Sequence, residues 1–177
     1  SACLRTLEGH SGSVESVSVT PDGRRVVSGS RDKAIRVWEL ASGKCLFKLT
    51  AHSDRVNMVS VTPDGRSMIS GSSDQTLRVW DLENGQCLRV LAGHTGWVAS
   101  VSVTPDGRCA VSGSRDTTLR VWDLASGQCL RILTGHDHLV TDVGLTPDGQ
   151  RVVSGSVDET LRVWDLKSGR CLRALLG

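Results

Sequence analysis

The stretch HTGWVASVSVTPDGRCAVSGSRDTTLRVWDLASGQCLRILTG, from His94 to Gly135, carries the fold in a single unit. Four segments in it alternate apolar and polar residues: 98–103, 108–112, 118–124 and 128–133. β-Branched residues and a period of two mark them as strands rather than helix. The first joint is Thr104-Pro105-Asp106-Gly107. There Pro presets φ at the second turn position and Gly accepts a positive φ after it. The second joint centres on Asp116 and the third contains Gly127. The unit therefore predicts four antiparallel strands joined by tight turns.

The unit recurs. Trp38, Trp80, Trp122 and Trp164 stand 42 apart, and so do His10, His52, His94 and His136. The chain divides into residues 1–9 and four gap-free repeats, 10–51, 52–93, 94–135 and 136–177. In the first repeat the four segments are Val14–Val19, Arg24–Ser28, Ala34–Leu40 and Lys44–Leu49. Nineteen of the 42 positions are identical in all repeats, among them the Thr-Pro-Asp-Gly turn, Ser28-Gly29-Ser30, Asp32 and Arg36-Val37-Trp38. A period of this length is the signature of a solenoid, propeller or array. Four antiparallel strands per repeat make the blade of a propeller. Identity this high within one chain points to recent duplication or deliberate design. The prediction is an all-β β-propeller of four-stranded antiparallel blades, one domain over 1–177. Residues 1–9 read as an extra outer strand, because Cys3-Leu4-Arg5 is in phase with Cys171-Leu172-Arg173.

Composition excludes several functions. Apolar residues make up 38%, charged residues 23%, and the net charge is +2, ordinary for a folded globular chain. No run of about 18 apolar residues offers a membrane helix. No basic-then-apolar start reads as a signal peptide, and a first residue of Ser rather than Met suggests processing or trimming. Of five Trp, four occupy the repeat position, with one Phe and no Tyr beside them. Aromatic cages and base-stacking platforms are thereby disfavoured. The 21 basic residues are spread over every repeat, so no nucleic-acid footprint is expected.

On these residues the chain closely resembles the WD-repeat β-propellers. The Gly-His pair stands at Gly9-His10, Gly93-His94 and Gly135-His136, and the Trp-Asp pair at Trp80-Asp81, Trp122-Asp123 and Trp164-Asp165. His and Trp are 28 residues apart in every repeat. Two departures, Ala51 before His52 and Glu39 after Trp38, are mild. The resemblance implies a hydrogen-bonded structural tetrad in each blade: His10, Ser28, Asp32, Trp38; His52, Ser70, Asp74, Trp80; His94, Ser112, Asp116, Trp122; and His136, Ser154, Asp158, Trp164. Three of these residue types also compose a nucleophilic triad. Four copies, without a Gly-x-Ser-x-Gly elbow, point instead to something every blade needs. A buried polar chain is favourable only when each member has a partner. No catalytic residue is assigned, and the chain is read as not an enzyme.

Cys3, Cys45, Cys87, Cys129 and Cys171 are one outer-strand position seen five times, and Cys109 is a sixth on the second strand. Equivalent positions in neighbouring blades lie too far apart for disulfides. Reduced thiols favour a cytoplasmic location. No Cys-x₂₋₄-Cys pair offers a zinc site, and in His136-Asp137-His138 the first imidazole belongs to a tetrad. No metal and no cofactor is expected.

Function is expected where the repeats differ. One such zone is the loop into the first strand: Ser13 and Glu15, Arg55 and Asn57, Trp97 and Ala99, Leu139 and Thr141. The other is the residue before the turn Asp: Arg31, Ser73, Arg115 and Val157. The resemblance implies that these line the upper rim of a central channel and contact partners. Trp97 is the one Trp outside the tetrads, either an anchor of a type preferred in binding hot spots or a local packing residue. Arg31 and Arg115 suit acidic partner groups, or else are solvated. The partner-binding candidates are Trp97, Arg31, Arg55, Asn57, Arg115, Leu139 and Glu15.

Four blades fall short of a ring of seven or eight, in which each spans roughly 45–51°. Two copies about a two-fold axis make eight and remove every open edge. The expected partner is thus a second copy of the chain, a homodimer closing one eight-bladed ring. A closed four-bladed monomer and a piece of a longer array are the alternatives. Residues 1–9 and 170–176 compete for the same strand edge, and the sequence leaves the outcome open. The functional expectation is a non-catalytic scaffold for protein–protein interaction through the upper rim, with no nucleic acid or membrane partner. The alternative is a structural or engineered self-assembling propeller fragment with no natural ligand.

Overall fold

The computed structural model describes residues 4–176; residues 1–3 and 177, and with them Cys3, lie outside the described residues. Among the described residues sixteen strands form four antiparallel sheets, each built from consecutive strands. Blade 1 holds β1 (Val14–Val19), β2 (Arg25–Ser30), β3 (Ile35–Glu39) and β4 (Cys45–Leu49). Blade 2 holds β5 (Val56–Val61), β6 (Ser67–Ser72), β7 (Leu77–Asp81) and β8 (Cys87–Leu91). Blade 3 holds β9 (Val98–Val103), β10 (Cys109–Ser114), β11 (Leu119–Asp123) and β12 (Cys129–Leu133). Blade 4 holds β13 (Val140–Leu145), β14 (Arg151–Ser156), β15 (Thr160–Asp165) and β16 (Cys171–Leu176). No helix among the described residues is long and apolar enough to cross a membrane.

The Thr-Pro-Asp-Gly turns close the first hairpin of each blade. In blade 3 the Gly107 N–H donates to Thr104 O at 2.8 Å, with Gly107 at φ 70°. The Thr104 hydroxyl donates to Asp106 at 2.6 Å and accepts the Cys109 N–H at 3.0 Å. The second strands run two residues past the expected end, through the Ser-Gly-Ser triplet. Gly is retained there because the next blade arrives on it. A Cβ on Gly29, Gly71 or Gly113 would stand 2.6–2.7 Å from a methyl of Val56, Val98 or Val140, closer than real carbons approach.

The core is divided among the blade junctions. Val27, Ile35 and Val37 of blade 1 pack with Val56, Val59, Met68 and Trp80 of blade 2. Ile69, Leu77, Val79 and Leu91 meet Val98, Val101, Ala110 and Trp122. Val111, Leu119, Val121 and Leu133 meet Val140, Val143, Val152 and Trp164. Each buried aliphatic side chain contributes about 1.5–3 kcal/mol. Strand β1 packs on β5, β5 on β9 and β9 on β13, with no comparable packing of β13 on β1. The four blades therefore form an open arc with two uncovered ends. On the first end Val14 and Val17 are 51% and 64% exposed. On the last, Leu161 is exposed and Gly155 has only two side-chain atoms near it, both at 3.5 Å.

The N-terminal segment corrects an expectation. β16 takes the edge of β15, so blade 4 is completed by its own outer strand. Residues 4–9 are not a strand, and the β15 edge in phase with them is already filled by β16. They lie against blade 1 instead. The Arg5 guanidinium donates to Ala41 O at 2.7 Å, as Arg89 does to Ala125 O at 2.7 Å and Arg131 to Lys167 O at 2.6 Å. The segment thus occupies the place of a preceding blade's outer strand.

Candidate functional site

Each blade fixes its first loop through one buried polar chain. In blade 3 the Trp122 indole N–H donates to Ser112 Oγ at 2.8 Å, the Ser112 hydroxyl lies 2.7 Å from His94 Nε2, and His94 Nδ1 lies 2.7 Å from Asp116 Oδ2. The indole donation leaves the hydroxyl proton for Nε2, so Nδ1 carries the ring proton and donates it to Asp116. The same chain links Trp38, Ser28, His10 and Asp32, Trp80, Ser70, His52 and Asp74, and Trp164, Ser154, His136 and Asp158. The Ser–His–Asp distances are those of a nucleophilic triad. Their setting is different, because each Ser is buried and its oxygen already accepts the indole N–H.

The Asp of each chain has further donors. Burial opposes the charge of Asp32, yet hydrogen bonds from His10 and from the Ser11 and Ala34 N–H groups hold it at about 2. Against the same opposition, His52 and Thr76 hold Asp74 well below the usual carboxylate range, and so do His94 and Thr118 for Asp116. In blade 4, Thr160 and His136 do this for Asp158. The donor sets differ at one position. Thr76, Thr118 and Thr160 donate a hydroxyl at 2.6–2.7 Å, and blade 1 has Ala34 at that position. These Thr donors share the tetrad's spacing but were not singled out from sequence.

The two variable zones form one edge of the arc. Arg31 N–H donates to Ser13 O, Ser73 N–H to Arg55 O, Arg115 N–H to Trp97 O and Val157 N–H to Leu139 O, at 2.9–3.1 Å. A register shift follows in every blade, and the skipped residue is Glu15, Asn57, Ala99 or Thr141. Such bulges re-aim side chains. Arg31 Nε stands 2.5 Å from Glu15 Oε1. Arg55 Nε and Asn57 Nδ2 both donate to Ser73 Oγ at 3.0 Å, and Asn57 Nδ2 also to Val98 O at 2.8 Å. Trp97 is half-buried between blades. The Arg55 guanidinium carbon lies 4.3 Å from its ring centroid and that of Arg115 4.0 Å. Leu139 and Val157 make the corresponding place in blade 4 apolar. Sequence named Arg55, Trp97 and Arg115 separately; the signal that joins two of them is that Arg55 and Trp97 are one repeat apart, hence neighbours on adjacent blades.

Cys45, Cys87, Cys109, Cys129 and Cys171 are free thiols. Among the described residues no group of three or more His, Cys, Asp or Glu is placed to hold a metal ion.

The chain matches the family described as WD domain, G-beta repeat, over residues 1–39, 43–81, 85–123 and 127–165. It is 60% identical over 42 residues to the vegetative incompatibility protein HET-E-1 of Podospora anserina, a match covering 24% of this chain and 3% of that protein. It is 54% identical over 37 residues to the ribosome biogenesis protein BOP1 homolog of Drosophila grimshawi, covering 21% and 5%. It is 51% identical over 43 residues to the CCR4-associated factor 4 homolog of Candida glabrata, covering 24% and 7%. The matches span only a small part of each of these relatives.

Proposed function

Because the chain belongs to the WD-repeat family, we propose that it is a non-catalytic scaffold that binds protein partners through the upper rim, the edge carrying Arg31, Arg55, Asn57, Trp97, Arg115 and Leu139. The observation that carries this reading is the gathering of the variable zones on that one edge, where bulges direct residues 15, 57, 99 and 141. The buried, already hydrogen-bonded serines support the absence of catalysis. The free thiols support a reducing, cytoplasmic setting. Selection of a displayed peptide library against the protein tests the rim. The expected ligands lose about tenfold or more in affinity on Trp97→Ala. No ligands, or ligands indifferent to Trp97, overturn it.

A second reading concerns assembly, and the two ends of the arc favour it. The uncovered Val14 and Val17 face matches the faces that Val56 and Val59 present to blade 1. The hollow of about 150 Å³ beside it, lined by Leu7, Val14, Val17, Val26 and Trp38, lies on that uncovered face. Gly155 offers the space that Gly113 gives to Val140. Two copies joined end to end would make an eight-bladed ring, in which residues 4–9 and the partner's outer strand contend for one place. Light scattering is expected to give a mass near twice 19.0 kDa, and Gly155→Ala to return it to a folded monomer. A monomeric wild-type mass overturns the ring. The gap-free repeats also fit a structural or engineered self-assembling fragment without a natural ligand; failure of the peptide selection alongside a dimeric mass favours that reading.

A further inference from the structure

We propose that Arg55, Trp97 and Arg115 together form a site for a carboxylate-rich peptide segment; this rests on the rim being the binding face. The protein itself displays the recognition chemistry. Arg31 and Arg115 are the same repeat position, and in blade 1 the bulge residue Glu15 supplies a carboxylate to Arg31 at 2.5 Å. The bulge residue of blade 3 is Ala99, which supplies none. Blade 1 is thus the filled form of an arrangement that blade 3 leaves unfilled.

The geometry around Trp97 favours an anion more strongly. Two guanidinium groups share one indole, at 4.0 and 4.3 Å from its centroid. Two positive charges on one ring favour nearby anions, and a carboxylate at each head offsets that charge. Among the described residues, no carboxylate oxygen lies within 4 Å of a side-chain nitrogen of Arg55 or Arg115. The neighbouring acids are engaged elsewhere. Asp74 and Asp116 receive the tetrad imidazoles, Asp54 accepts the Arg55 backbone N–H, and Asp142 accepts the Ser100 hydroxyl. A guanidinium held over a ring can still offer paired N–H hydrogen bonds to carboxylates. Two heads call for more than one carboxylate. The apolar ring between them suits the methylene stems of glutamate side chains, which selects a peptide over a small inorganic anion.

The test is fluorescence anisotropy of labelled octaglutamate and octaglutamine with the full chain. Octaglutamate is expected to bind and octaglutamine not. Ala99→Glu, which places in blade 3 the carboxylate that blade 1 already has, and Arg115→Ala are each expected to weaken octaglutamate by about tenfold or more. Ala99→Gln, of the same size and neutral, is expected to bind as the wild type does. Equal binding by Ala99→Glu and wild type overturns the site in favour of general charge attraction. A single-stranded oligonucleotide bound as tightly, with the same dependence on Arg115, overturns the peptide assignment. If octaglutamate fails while library-selected ligands still require Trp97, this inference falls and the rim reading stands; if neither binds, both fall.

Discussion

The junction between blades 2 and 3 and the two ends of the arc are built from equivalent residues with different outcomes. At the junction Val98 is fully buried and reaches to within touching distance of the Gly71 backbone. At the first end its counterpart Val14 is half exposed, and at the last end Gly155, the counterpart of Gly71, meets side chains of its own blade only. The same side chain is core in one place and surface in the other. Burial here belongs to the junction rather than to the blade, because a blade buries one face only when its neighbour arrives.

The sharpest break of this comparison is a charge at both places. Val98→Asp puts a carboxylate into a sealed junction and is expected to cost about 3 kcal/mol or more in urea unfolding. Val14→Asp is expected to leave monomer stability within about 0.5 kcal/mol while abolishing any dimer. Similar losses from the two variants would mean that the end is covered after all.

The tetrads extend the comparison to polar groups. Asp116→Ala strips His94, Thr118 and two backbone N–H groups of an acceptor, and about 1–3 kcal/mol of stability should go with it. Asp32→Ala, in the end blade that lacks the Thr hydroxyl, should lose less. An unchanged melting temperature for Asp116→Ala would deny the tetrad a structural role.

Acid acts more gently on the same groups. Each tetrad Asp has a folded pKa below its unfolded value of about 3.9. The stabilisation is complete above that value and is withdrawn as pH falls through the folded value. Melting temperatures should therefore decline below about pH 4, and carboxyl NMR titration should show Asp32, which lacks the Thr hydroxyl donor, protonating before Asp74, Asp116 and Asp158. Coincident titration of all four would remove the distinction drawn from Ala34.

The smallest effect concerns the residue after each tetrad Asp. Lys33, Gln75, Thr117 and Glu159 all have φ near 70°. This region disfavours β-branched residues most. Thr117→Gly is expected to raise stability by about 1 kcal/mol, read as a higher urea midpoint.

What could be read in advance was whatever the repeat states four times. The strands and the Thr-Pro-Asp-Gly turns follow from local alternation and turn chemistry, and the tetrads from the resemblance to the WD-repeat propellers. What escaped needed a neighbour to explain it. Gly29 looked like a strand end, but it lies inside β2 because Val56 of the next blade needs its missing side chain. Residues 1–9 had the letters of an outer strand, yet β16 holds the β15 edge and residues 4–9 form no strand. Arg55 and Trp97 were separate candidates until two blades stacked.

Contacts limited to adjacent blades also shape how the chain acquires its structure. Hydrogen bonds between blades, such as Val59 N–H to Ser16 Oγ, join residues only 43 apart. Sheet proteins usually fold slowly because distant segments must first find one another. During synthesis each blade emerging from the ribosome meets a finished surface one repeat behind it, so order can advance with translation. If two copies close a ring as proposed, joining the two outermost surfaces is the one step that waits for all four blades.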